Sequence, residues 1–265
     1  MNSEHTFAIL AYKESKYLQN CIDSLNNQTT KSNIILCTST PSAFLENITK
    51  KNNIAYHINP SRTGIANDWN FALGSAISSI VTLAHQDDVY HPQYTEKILK
   101  EIALNNDAII IFTSYDEIVH RKDKTFVRKN SLNFFIKKII LLLIFAFKNS
   151  IKKNKSWLLA TGSPIGCPTV AYCKNNIGQF GFDEKFSINV DWKAWYDLSQ
   201  KNGSFVWIKK TLVSHRIYSE SETSIGLAEN RRQAEDIQMF EKVWPTKIAK
   251  IINKVYSLSY KNNHN

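Results

Sequence analysis

Asp87 and Asp88 stand side by side where a short apolar run stops, in the segment Ile80-Val81-Thr82-Leu83-Ala84-His85-Gln86-Asp87-Asp88-Val89-Tyr90-His91-Pro92. A strand that ends this way delivers acid groups to the rim of a sheet. In open α/β sheets ligands bind at that rim, outside the carboxyl ends of the strands. Adjacent carboxylates repel each other, so a positive group belongs with them, and a hard divalent ion with oxygen ligands is the natural one. The competing reading is a polar turn, with Asp88 capping a helix and Pro92 in its first turn. His85 is either a further donor or a packed residue. Far along the chain, Asp191 opens a predicted helix, as a cap or as a general base that takes a proton from an attacking hydroxyl. Trp192 beside it either packs in the core or offers an aromatic face to a ligand, and Trp195 reads as core. His215 and Arg216 end a predicted strand. Before any resemblance is weighed, His215 reads as structural and Arg216 as a surface ion pair or a fixed cation for an anion.

The elements that must carry these groups alternate between strand and helix. Phe7–Tyr12 reads as a buried strand, followed by Tyr17, Leu18, Cys21, Ile22 and Leu25 at helical spacing. Strands are expected at Asn33–Thr38 and Ile54–Ile58. Ile65, Trp69, Ala72, Leu73, Ala76, Ile77 and Ile80 then mark one helix face. The Ile80–Ala84 strand, a helix from about Pro92 to Leu104 and a strand at Ala108–Thr113 come next. This alternation predicts an α/β/α sandwich around a mostly parallel central sheet. Later come a Gly/Pro/Cys loop from Thr161 to Pro168, a helix near Asp191–Lys201, and two short strands at Phe205–Ile208 and Leu212–His215. Helical pattern runs from about Glu229 to the end, broken at Pro245. The expected organisation is one domain over 1–225 and a helical carboxyl-terminal tail over 226–265.

The stretch Leu132–Phe147 is strongly apolar, carries Lys137-Lys138 within it and has lysines on both sides. It falls short of the ~20 apolar residues of a membrane span. It is read as a core or partner-covered helix, as an interfacial helix on an anionic membrane, or as a span. The chain has 265 residues, 43% hydrophobic and 12% aromatic, and a net charge of +10. Such a chain prefers anionic partners. Its lysines are spread along the chain and no Arg-rich arm appears, while the basic residues thicken around the apolar segment at 133–153, which points to a membrane surface rather than to nucleic acid. The cysteines, Cys21, Cys37, Cys167 and Cys173, make no zinc or redox spacing. Cys21 and Cys37 read as small core residues, in keeping with a reducing compartment. The first residues carry no secretory pattern, so a cytoplasmic protein is expected, peripheral on the inner face of the membrane.

Five short segments, in order over residues 6–224, resemble family-two glycosyltransferases. Tyr12-Lys13-Glu14, with Leu18, Ser24-Leu25 and Gln28-Thr29, is similar to the family's opening Tyr-Asn-x-Glu and its later Ser-Leu-x-x-Gln. Gly64, Ala66 and Asn70 resemble its Gly-x-x-x-Ala-Arg-Asn, with Trp69 in place of Arg. The acid pair stands at its Asp-x-Asp-Asp, Val190-Asp191-Trp192 at a later acid pair, and His215-Arg216-Ile217-Tyr218 with Ser221 at its Tyr-Arg-x-His. The resemblance implies a GT-A fold and transfer of a sugar from a nucleotide-sugar donor. It implies a Mn²⁺ or Mg²⁺ held by Asp87, Asp88 and His215, and Asp191 as catalytic base of an inverting transfer. Ala11, Tyr12, Glu14, Thr38, Ser39, Arg62, Asn67, Gln86, Asp87 and Arg216 are the expected donor-binding residues. Gly162, Ser163, Pro164 and Trp192 are expected to contact the acceptor or the donor sugar. The family has an Asp-rich loop after its second strand that holds the nucleobase. Here the loop is Cys37-Thr38-Ser39-Thr40-Pro41, whose hydroxyls and backbone groups must replace a carboxylate.

The reading is a metal-dependent hexosyltransferase. It uses a nucleoside-diphosphate sugar, UDP-sugars favoured, and a glycan or lipid-linked saccharide acceptor, in surface polysaccharide biosynthesis. The rival is a non-catalytic nucleotide-sugar-binding or membrane scaffold protein, motivated by His85 and by the carboxylate-free loop. A nucleotidyltransferase is a third reading, without a Gly-rich, basic first loop to support it.

Overall fold

The computed structural model describes residues 4–61, 64–121, 124–128, 132–217 and 231–261. Arg62, Tyr218 and Ser221, which the motifs singled out, lie outside the described residues.

The strands are β1 (His5–Leu10), β2 (Asn33–Thr38), β3 (Ala55–Ile58), β4 (Ile80–His85), β5 (Val89–Tyr90), β6 (Ala108–Arg121), β7 (Lys124–Arg128), β8 (Ser150–Ile151), β9 (Val170–Cys173) and β10 (Ser204–Ile217). The helices are α1 (Leu18–Asn26), α2 (Ala43–Asn52), α3 (Ile65–Ser75), α4 (Tyr94–Leu104), α5 (Leu132–Ile144), α6 (Lys174–Ile177), α7 (Val190–Ser199), α8 (Arg231–Glu241) and α9 (Thr246–Lys261). The sheet order is β3-β2-β1-β4-β9-β6-β10-β5, with β7 paired to β6 and β8 to β10. β1, β2, β3 and β4 pair in parallel, as do β6 and β10.

Successive side chains of a strand point to opposite faces of the sheet. In β1, Phe7 and Ile9 join one core with Leu18, Cys21, Tyr90 and Ile98, while Ala8 joins the other with Leu83, Phe112, Trp195 and Phe240. Both faces are therefore covered: α1, α2 and α4 lie on one, α3, α5, α7, α8 and α9 on the other. This is the expected α/β/α sandwich. All four cysteines are free and buried, as read for Cys21 and Cys37.

Three features differ from the sequence reading. β9, four residues long and directly after the Gly/Pro loop, enters antiparallel between β4 and β6. The two strands expected at 205–208 and 212–215 are one strand, β10. Register shifts against β6 between Ile208 and Val213 expose Lys209 and Lys210, and this bulge breaks the apolar pattern without ending the strand. The carboxyl-terminal segment, broken before Pro245 as expected, packs into the same core through Met239, Phe240 and Ala249.

Candidate functional site

β4 ends at His85, and Gln86, Asp87 and Asp88 turn the chain into β5. β5 has only two residues, but its antiparallel register, Val89 to Ser214 and Tyr90 to Val213, sets Asp88 beside His215. Asp88 is fully buried. Its Oδ1 accepts from the Arg216 backbone N–H at 2.8 Å and from His215 Nδ1 at 3.0 Å. The helix-cap reading of Asp88 fails, because α4 begins at Tyr94 with Gln93 as its cap residue. Burial alone would raise the Asp88 pKa; the charge and hydrogen bond of His215, with His85 and the Arg216 N–H, outweigh it and hold the carboxyl low. Burial would lower His215, but the Asp88 carboxylate lifts it to about 9. Arg216 donates from Nε to the Asp87 carbonyl at 2.9 Å, and its guanidinium lies 4.0 Å from the centre of the Tyr17 ring. Its charge is thereby held in one place.

His85, Asp87 and Asp88 each offer a donor atom, all within 4.8 Å of one another. The set of one imidazole and two carboxylates suits Mn²⁺ or Mg²⁺. Among the described residues His85 Nε2 and Gln86 Oε1 are buried and have no hydrogen-bond partner, as expected of atoms that await a ligand. The sequence reading put His215 in this set. In the structure His85 stands with Asp87 and Asp88, and His215 is engaged through Nδ1 with Asp88. His85 also lies 5.7 Å, ring to ring, from Trp69, which stands where the resemblance expects Arg.

Asp191 sits in the first turn of α7, with His85 among its charged neighbours. The position of that turn is set by α8. Glu235 accepts from the backbone N–H of Ser187, Ile188 and Asn189 at 2.8, 3.0 and 2.7 Å, and Asp236 accepts from Asn189 Nδ2 at 2.7 Å. Glu235 and Asp236 escaped the sequence reading, although they share a helical stripe with Met239 and Phe240, an unusual place for acids. Asp191 is half-buried and accepts the Trp192 N–H at 2.7 Å. Desolvation raises its pKa, against the opposing pull of that N–H and of Arg232, Lys137 and His85. A carboxylate of raised pKa with His85 of the cluster among its charged neighbours is equipped to accept a proton.

The expected donor-side residues divide. Gln86 donates to the Tyr12 carbonyl at 2.9 Å, which ties the ends of β1 and β4 together. The Ala11 N–H donates to Cys37 O at 2.9 Å, and Thr38 is buried, its Oγ1 accepting from the Thr40 N–H. Asn67 lies in the first turn of α3. Glu14 is exposed and makes no hydrogen bond among the described residues. Ser39 donates to Asp68 Oδ2 at 2.8 Å, and Asn59 to Asp68 Oδ1 at 2.9 Å. The loop after β2 thus receives a carboxylate from α3 instead of from its own residues. The sequence reading missed Asp68 because it looked for the acid along one loop.

On the expected sugar side, Gly162 has φ +129, and a Cβ there would lie 2.8 Å from Tyr256 Cε2. Ser163 is half-buried and Pro164 buried. Trp192 is corrected: it is 1% exposed, with Phe240 at 5.0 Å and Tyr256 at 6.0 Å between ring centres. Its faces are spent in the core and cannot stack on a sugar. Trp195, fully buried, is core as expected.

The family described as Glycosyl transferase family 2 matches residues 6–166. No curated protein matches the chain. Among solved structures, S. aureus TarS 1-349 is similar with a TM-score of 0.60 at 12% identity, over 97% of this chain and 71% of that one. The same protein in complex with UDP gives 0.58 at 14%, over 91% and 70%. In complex with UDP-GlcNAc it gives 0.60 at 13%, over 97% and 71%. At such identities the likeness establishes a shared GT-A-like fold. Asp191 and His215 lie beyond the residues that the family matches.

Proposed function

The chain belongs to glycosyl transferase family 2 and is a glycosyltransferase, and on that premise we propose that it moves a hexosyl group from a nucleoside-diphosphate sugar to a hydroxyl of a glycan or lipid-linked saccharide, with inversion. The observation that carries this reading is the gathering of His85, Asp87 and Asp88 within 4.8 Å at the end of β4, with Asp191 among the charged neighbours of His85. A UDP-sugar is the favoured donor, since a similar fold is described in complex with UDP-GlcNAc.

Asp87, Asp88 and His85 would hold Mn²⁺ or Mg²⁺, whose charge would offset that of the departing diphosphate. Arg216, immobilised against Asp87 and Tyr17, adds a fixed positive charge to that end of the site. Ser39, Asn59 and Asp68 form the polar edge for the nucleoside. Asp191 takes the proton of the acceptor hydroxyl. The acceptor oxygen then forms its bond to the anomeric carbon as the carbon–oxygen bond to the diphosphate breaks, and the electron pair leaves with the diphosphate. Attack from the face opposite the leaving group inverts the configuration.

The outer face of α5 supports a place at a membrane. Ile136, Ile139, Leu142 and Leu143 are exposed, Phe147 is 99% exposed, and Lys138 and Lys148 flank them. Among the described residues no helix is long and apolar enough to cross a membrane. The pattern suits an interfacial helix on the anionic inner face of the cell membrane, in surface polysaccharide biosynthesis. Flotation with phosphatidylglycerol vesicles, with and without Leu142→Glu/Leu143→Glu, checks this; a wild type that does not float removes the proposal.

The test of the donor chemistry is release of UDP from a panel of UDP-sugars with Mn²⁺ or with EDTA. Wild-type release should require the metal, and Asp87→Ala should abolish it. Metal-independent release, or full activity of Asp87→Ala, would sink the metal-assisted reading.

A further inference from the structure

Lys137 and Lys138 interrupt the apolar segment together, yet α5 treats them differently. Lys138 is exposed, while Lys137 is half-buried. Leu141 and Phe145 come after Lys137 at intervals of four residues, which share one helix face. Both are buried, and Phe145 lies 5.9 Å from Phe112 on β6 and 5.6 Å from Trp207 on β10, ring to ring. Lys137 is therefore the polar end of the stripe that faces the sheet.

The sheet register indicates where that end lies. Phe112 pairs with Trp207, and farther along the same strands Glu117 pairs with His215. From Phe145 back to Lys137 the helix covers about 12 Å, and from Phe112 to Glu117 a strand covers about 16 Å. The stripe reaches the strand ends that carry the site. The charged neighbours of Lys137 agree: Asp191 and Glu117, with Arg232 of α8. Burial, assisted by Arg232, lowers the Lys137 pKa, and the two carboxylates oppose this. Even so, its ammonium makes no hydrogen bond or contact ion pair among the described residues. A half-desolvated ammonium without a contact anion is unfavourable, and an anionic oxygen beside it reverses the penalty. Two cations from two helices thus border the proposed base.

We propose that Lys137 is an acceptor-binding residue, which donates to a phosphate or carboxylate that the acceptor carries beside the hydroxyl to be glycosylated. This rests on the reading of Asp191 as the acceptor's base. It goes beyond that reading by assigning the acceptor class as anionic and α5 as the wall that recognises it.

The experiment is calorimetric titration of the full chain with glycerol 3-phosphate and with glycerol, in the presence of UDP and Mn²⁺. Wild type should bind the phosphate and not the neutral polyol. Lys137→Gln should weaken phosphate binding about tenfold, the scale of one charge-assisted hydrogen bond. Lys137→Arg should retain it, and UDP affinity and thermal midpoint should be unchanged in both variants. Equal phosphate binding by wild type and Lys137→Gln, or equal binding of glycerol and its phosphate, overturns the proposal and leaves Lys137 as a counter-charge to Asp191. Failure of UDP to bind counts against the donor reading alone, since the comparison of wild type with Lys137→Gln still decides the acceptor assignment.

Discussion

Asp88 and Asp191 lie at the same end of the sheet, and the chain handles their charges in opposite ways. Around Asp88 the donors converge: the Arg216 N–H and His215 Nδ1 reach its oxygens, and the carboxyl is held low. Around Asp191 one N–H reaches the carboxylate, desolvation prevails and the pKa rises. The difference comes from construction. Asp88 is held by strand register, where backbone donors repeat at fixed spacing. Asp191 is held by helix packing, which positions its turn through Glu235 and leaves the carboxylate itself lightly bonded. These are the two environments that the proposed roles call for, one acid kept charged and the other able to exchange a proton.

The sharpest way to break the contrast is Asp191→Asn. Transfer should fall by about 10²–10⁴, the usual contribution of a general base, while the thermal midpoint stays at or above wild type because a desolvated charge is gone. The acid limb of the wild-type kcat/KM profile should lie above the ordinary Asp value of 3.8, since Asp191 must be ionised to act and its pKa is raised. Loss of stability in Asp191→Asn would erase the distinction. Asp88→Ala should show the reverse pattern in denaturant unfolding, a loss of about 3–5 kcal/mol, because His215 loses its buried partner.

A smaller effect sharpens the helical side. Glu235→Gln keeps the shape of the side chain but not its charge, and should cost about 1.5–3 kcal/mol for hydrogen bonds to an ionised acceptor. It should also raise KM for the acceptor if the Asp191 turn shifts; unchanged stability and kinetics would mean that α8 does not position it. An effect seen only on acidification belongs to the strand side. His5 is fully buried, with Ser32 Oγ 2.8 Å from Nδ1 and Thr82 Oγ1 3.0 Å from Nε2, and burial lowers its pKa from 6.5 to about 3. Between those values the unfolded chain binds the proton and the folded chain does not. Stability should therefore fall as pH drops below 6.5, by up to ~1.4 kcal/mol per pH unit, and His5→Gln should flatten the slope of unfolding midpoint against pH.

Much of the strand-built side was legible in the sequence. The alternation from β1 to β4, the carboxylates after β4 and the buried Cys21 and Cys37 are all written in local pattern, because a buried strand and an amphipathic helix each declare themselves within a few residues. The reading weakened where partners come from far away. β9 was hidden because four residues carry too little period, and β10 was split because Lys209 and Lys210 at the bulge mimic a turn. Asp68 was missed because its role depends on α3 meeting the loop after β2. Trp192 was placed with the sugar because it adjoins Asp191 in sequence, although adjacent helical residues point about 100° apart.

By itself the sequence determined the α/β alternation, the family and the order of the chemical groups, since each is written in local spacing. The tertiary structure alone decided that His85 gathers with Asp87 and Asp88, that His215 pairs with Asp88, and that Asp191 is a charged neighbour of Lys137 of α5. Those outcomes depend on strand register and helix packing between residues tens to more than a hundred positions apart, and charge environments of that kind are properties of distance through space, not of distance along the chain.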